Sequence, residues 1–335
     1  MKEKSVYIVL CMFLLLSSCN KNRFEIDTDK VDLSVKIERF DRDFMQMDTV
    51  RLEESVVKLE QKYGVFFNRY VQNVLGLGVP QTPEFAANLR AFLADSTMHE
   101  IYVECQKIFP DSYTDSISRE VQTAFRYVKH YFPERKIPRV AMHISGFNQS
   151  VVAAGDVLSV SIDNYLGVDY ALYRGRVFDY QLRTMTPDKV APDLLLGYLM
   201  SEFEVETSGN LLGYMLSRAK VLYLQSIFMP GRSEADLMGY TPEQEAWCRA
   251  NESQMWLYLV EHKQLYNTSQ LVISKYINPA PFTTYFTQDS PGQAGIWLGL
   301  QIVKSYMASN TSVSLPELMQ NTDYQQILEK SNYKP

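Results

Sequence analysis

Residues 193–216 read DLLLGYLMSEFEVETSGNLLGYML. Leucine, tyrosine and methionine dominate this run, which reads as an apolar helix. Three acids interrupt it: Glu202, Glu204 and Glu206. On a helix Glu202 and Glu206 share a face, and Glu204 points elsewhere. Exposed, that like-charged pair costs roughly a few tenths of a kcal/mol. Buried together, one carboxyl would be forced to keep its proton, giving an acid/base pair. No His, Lys or Arg within a turn would orient them, so a solvated face is the favoured reading.

From Thr186 onward the pattern is helical almost to the end. The TPEQ run at 241–244 has the form of a capping box, with Thr241 as cap, Gln244 reaching back and Pro242 in the first turn. SPGQ at 290–293 looks like a second such start. Behind it, Gly292, Gly295 and Gly299 fall at spacings that line one helix face. Each glycine costs such a helix close to ~1 kcal/mol, so another chain segment is expected to pack very near. No Lys-Ser/Thr follows them, which excludes a phosphate-binding loop.

Upstream, residues 137–163 hold short β-branched runs punctuated by Gly146, Asn148, Gly155 and Asp156, which read as three antiparallel strands. VDLSVKIERF alternates Val31, Leu33, Val35 and Ile37 on one face and reads as a further strand. Helices are expected over about 49–63, from Thr82-Pro83, over 97–108 and over 116–131. The whole is α+β: mostly helical, with a small antiparallel sheet.

Composition excludes several functions. The 335 residues are 46% hydrophobic and carry a formal net charge of −6, so nothing favours nucleic acid. The 22 tyrosines suit helix seams and binding clefts alike. His99, His130, His143 and His262 include no i, i+4 pair, and no Cys pair has zinc spacing, so neither cofactor nor metal is expected. Cys105 and Cys248 can be a disulfide or two buried thiols.

The N-terminus bears on location. Val6–Leu16 is an apolar run of about 16 Å as a helix, roughly half a bilayer core. It ends in Leu16-Ser17-Ser18-Cys19, which resembles the bacterial lipobox. The reading is a signal peptide at 1–18, a lipidated tether at 19–30 with acyl chains on Cys19, and one domain over 31–335. Asn20-Lys21-Asn22 has neither an inner-membrane retention Asp nor an acidic export cluster. An outer-membrane anchor facing the periplasm is expected, with the inner membrane as the alternative.

PFTTYFTQDSPGQAGIWLGLQIVKSYM, MLSRAKVLYL with the FMPG that follows it, TPEQEAWCRANESQMW and the closing SNYKP resemble the gliding-motility lipoprotein B (GldB) family of Bacteroidota. IERFDRDFM and YGVFF fit too. The resemblance implies an envelope lipoprotein and implies no enzymatic activity. The chain also distantly resembles zincin-like metallopeptidases. Laid on their HExxH helix, Glu202 would match the general base, while Ser201 and Val205 would replace the zinc-binding histidines. That implies a degenerate peptidase fold whose site helix is kept for structure or binding. The expected function is non-catalytic binding of a partner of the envelope, secretion or gliding machinery. The alternatives are a hydrolase using Glu202 and a glycan-binding lipoprotein.

Overall fold

The computed structural model describes residues 23–206 and 209–335. The lipobox and Cys19 lie outside the described residues. A four-stranded sheet holds β1 (Ile37–Glu38), β2 (Arg139–His143), β3 (Val151–Ala154) and β4 (Val157–Ser161), in the order β1-β2-β4-β3. The fold is α+β, as the sequence indicates, but the sheet is mixed. β1 and β4 both run parallel to β2, and only the β3–β4 hairpin is antiparallel. Loop 144–150 carries the chain past β4 to the outer edge. The Gly155-Asp156 turn then brings it back between β2 and β3, with Gly155 at φ +62°.

Position between two helical layers explains the uniform burial of β4. Val140, Met142, Leu158 and Val160 face a large core shared with the C-terminal helices. Ala141 and Val157 face a smaller core of Phe40, Phe44, Tyr63, Phe66, Phe67 and Tyr70. Within it the Phe40 ring meets Tyr63, Phe66 and Tyr70 edge-on at 4.7–5.0 Å.

The expected strand over VDLSVKIERF shrinks to two residues. Its backbone is instead bonded by side chains of the Asp111–Tyr131 helix. Gln122 accepts from the Val35 N–H at 3.0 Å, and Arg126 and Lys129 donate to the carbonyls of Leu33 and Asp32. The segment is extended and half-buried on one face, but a helix lies where a neighbouring strand would be. Glu38 then holds Arg139 of β2 through two 2.8 Å bonds.

The tether expected over 19–30 is not loose where it is described. Phe24 is 7% exposed, its ring set edge-on to Tyr131 and Tyr223. Its carbonyl accepts the Tyr131 hydroxyl at 2.9 Å. Arg23 donates to the carbonyls of Thr311 and Val313.

In the C-terminal half the Leu211–Phe228 helix is buried on nearly all sides and packs along the Ala294–Ser309 helix. Thr241 and Gln244 form the expected capping box. SPGQ does not repeat it: Gln293 precedes the helix at φ +60° with no side-chain cap, and Ser290 bonds Thr287 and Thr283 instead. Among the described residues no helix is long and apolar enough to cross a membrane.

Candidate functional site

Because β2 and β4 are parallel, both chains leave the sheet at the same end. Ligand clefts in sheets of this kind form at the carboxyl ends of strands. Here the two exits are bound together by Asp163, which is fully buried. Its carboxylate accepts the N–H of Ser145 at 3.1 Å and of Phe147 at 2.7 Å, and also the Ser161 hydroxyl. Burial raises its pKa while these bonds oppose the rise. The Tyr173 hydroxyl donates to the Asp163 carbonyl and accepts the Leu166 N–H. So held, Gly146 and Phe147 both sit at positive φ, +69° and +66°. A bulky residue in that region is strained, and such strain gathers at functional sites.

The loop walls a cleft of about 400 Å³. Asn148, Asn164, Tyr165, Arg176, Gln181 and Asp193 supply its polar lining. Asp193 comes from the first turn of the Val190–Glu202 helix and is half-buried. Burial pushes its carboxyl up to about 6, against the Tyr165 hydroxyl bond and the pull of the Lys189 charge. Tyr165 donates to it at 2.7 Å. Asn164 is 7% exposed, and its side chain has no hydrogen-bond partner among the described residues. Arg176 lies at the mouth, 5.9 Å from the Phe147 ring centroid, with no acid paired to it among the described residues.

The residues singled out from sequence lie elsewhere. The expected single helix over 193–216 is two, Val190–Glu202 and Leu211–Phe228. Phe203 ends the first in extended conformation (φ −117°, ψ 132°) because its ring is buried against Phe132, centroids 4.9 Å apart. Glu204 and Glu206 are therefore off the helix, and the i, i+4 carboxylate pair does not form. Glu206 accepts the Gly209 N–H. Glu202 is bonded to Arg135 at 3.1 Å, a basic partner from a distant part of the chain. Ser201 donates to the Tyr198 carbonyl, and Val205 lies three residues beyond the helix end. Ser201 and Val205 thus cannot occupy one helical face as an HExxH pair does.

Among the described residues no three His, Cys, Asp or Glu are grouped to hold a metal. His143 is wholly buried with Nδ1 2.8 Å from the Ser159 hydroxyl, and burial pushes its pKa down to about 3, leaving it neutral. Cys105 and Cys248 are separate buried thiols, so no disulfide joins them.

The three glycines each lie against backbone. A Cβ on Gly292 would overlap the Ala280 carbonyl, one on Gly295 would lie 2.9 Å from the Tyr276 carbonyl oxygen, and one on Gly299 would lie 2.7 Å from that of Met215. Gly295 and Gly299 share a face of the Ala294–Ser309 helix, whereas Gly292 precedes it, and each of the three meets a different segment.

Asn164, Tyr165, Arg176 and Asp193 line the cleft without a spacing that marks them in the sequence. The available signal was Asp193 itself, a lone acid opening the apolar run PDLLLGYLM.

These features define a helix-rich α+β protein with a mixed central sheet and a polar, single-carboxylate cleft at its strand ends. The chain belongs to the family described as gliding motility protein GldB, whose model matches residues 21–335. No curated protein and no solved structure matches it. The zincin-like resemblance finds support neither there nor in the geometry around Glu202.

Proposed function

We propose that this protein is a lipid-anchored component of the cell envelope that acts by binding a partner of the gliding or secretion machinery, without catalysis. The docking of Phe24 carries the reading. Cys19 precedes Arg23 by only four residues, which span at most about 14 Å when fully extended. An acyl anchor on Cys19 therefore holds the face around Arg23 and Phe24 close to the bilayer and turns the opposite side toward partners. Two or three acyl chains give a firm hold at about 0.8 kcal/mol per buried methylene. The outer membrane, facing the periplasm, is the proposed site. Supporting a binding role, Glu202 is engaged by Arg135, and the cleft contains one carboxyl where hydrolysis by acid pairs needs two.

Radiolabelled palmitate should enter the wild type and not Cys19→Ala, and the variant should leave the membrane fraction. Crosslinking in intact cells followed by mass spectrometry should recover an envelope protein. Equal labelling of both forms removes the anchor from the reading. Turnover of any peptide by the purified chain, abolished by Glu202→Gln, replaces binding with hydrolysis.

A further inference from the structure

We propose that the cleft at the carboxyl ends of β2 and β4 is a saccharide-binding site, with Asn164, Asp193 and Arg176 bonding ring hydroxyls against an apolar wall that includes Phe147. This deepens the binding reading and rests on it.

Asn164 is the starting point. It is more than nine-tenths buried, yet its side-chain amide has no partner among the described residues, and what exposure remains opens on the cleft. The amide is open to the cleft rather than sealed from it, so a ligand there can fill valences that the protein leaves unused. Around it the polar lining is planar: two carboxamides from asparagine, one from Gln181, one carboxyl and one guanidinium. Asn148 donates to the Val74 carbonyl and Gln181 accepts the Phe178 N–H, so among the amides Asn164 alone keeps both its oxygen and its nitrogen for a pair of neighbouring hydroxyls. Asp193 spends one oxygen on Tyr165, and the other has no hydrogen-bond partner among the described residues.

Phe147, Val177, Met185 and Pro279 also line the cleft and supply apolar surface suited to the C–H face of a pyranose ring. The volume of about 400 Å³ lies within the roughly 300–1,000 Å³ of small-molecule sites. The cleft also continues. A second hollow of about 140 Å³ shares Gln181, Thr184 and Pro279 with it and is walled by Tyr180. Tyr180 stacks on Phe178 (5.8 Å, 11°), and Phe178 is 69% exposed. Such a flat aromatic pair beside a polar trough extends the surface to a chain of several sugars. One acid and one guanidinium leave little net charge among the lining residues, which selects a neutral ligand over a phosphorylated or polyanionic one. A single carboxyl also fits retention of the sugar better than its cleavage.

The test uses the full chain in detergent on a microarray of neutral oligosaccharides, followed by calorimetric titration of the strongest binder. Arg176→Ala is exposed and will fold. Asn164→Ala is checked by its thermal midpoint. Each should weaken binding at least tenfold, while Glu202→Gln leaves it unchanged and the sugar is recovered intact. No binding on the array, or equal binding by Arg176→Ala, overturns the saccharide site. A protein crosslink surviving in Arg176→Ala would then leave the partner reading standing. Sugar bound in the cleft but recovered cleaved upholds the site and overturns the non-catalytic reading.

Discussion

Gly299 of the Ala294–Ser309 helix faces the Met215 carbonyl of the Leu211–Phe228 helix so closely that a Cβ would lie 2.7 Å from its oxygen and 3.1 Å from the Ala219 Cβ. The obstruction includes backbone, so it cannot swing aside as the end of a side chain would. Gly299→Ala should force the two helices apart and cost about 1–3 kcal/mol, with Gly295→Leu costing more. Urea unfolding measures this, and a midpoint equal to wild type would remove the close approach.

Asp193 makes stability depend on pH. Its folded-state pKa is raised to about 6 from 3.8, chiefly by burial. The fold therefore favours the protonated acid. That contribution is fully present below 3.8 and lost as pH rises through about 6. Asp193→Asn removes the ionisation. Relative to wild type the variant should gain about 2 kcal/mol between about pH 4 and about pH 7. A difference that stays constant over that range contradicts the assignment.

Phe24→Ala should cost about 3 kcal/mol, the usual scale for emptying a buried aromatic site. Differential scanning calorimetry of the full chain reads it. Trypsin should also cut after Lys30 sooner in the variant, because the released segment no longer lies on Tyr131 and Tyr223. Equal cleavage rates would mean that Phe24 is not what holds it.

Glu202→Gln should alter stability by less than about 1 kcal/mol, since the Arg135 pair is partly open to solvent. Zinc in the purified protein, measured by elemental analysis, should be the same in both forms. Stoichiometric zinc lost on substitution would restore a metal role to this helix.

Cys105 and Cys248 should behave as protected thiols. Burial raises both pKa values, that of Cys248 to about 12. Ellman's reagent should reach them only after unfolding, and reductant should leave the melting temperature unchanged. A midpoint lowered by dithiothreitol would point to a bridge.

The layout was legible where local chemistry decides it. The Thr82 and Thr241 caps, the β3–β4 turn at Gly155 and the helix-rich second half follow from short-range rules. Three features were not. Strand direction depends on where loop 144–150 carries the chain, which alternation along Val157–Ser161 does not encode. The break after Glu202 is set by Phe203 finding Phe132, a tertiary contact that overrides an unbroken apolar pattern. The cleft joins Asn164, Arg176 and Asp193 from three segments, and none carries a recognisable spacing. The glutamates drew attention by their charge, whereas the acid that lines the cleft, Asp193, stood at the other end of the same helix.

Docking of Phe24 also bears on kinetics. A lipoprotein on a long flexible stalk sweeps a deep layer of periplasm and meets soluble and membrane partners alike. For the anchor proposed on Cys19, the four residues to Arg23 would shrink that swept volume to a thin shell over one leaflet. Encounter by a protein so anchored would be a two-dimensional search, with a high effective concentration toward whatever protrudes from the same membrane to the same height. Under that proposal, lengthening the segment between Cys19 and Arg23 would leave the fold intact and yet dilute the encounter, so the spacing itself would be open to selection.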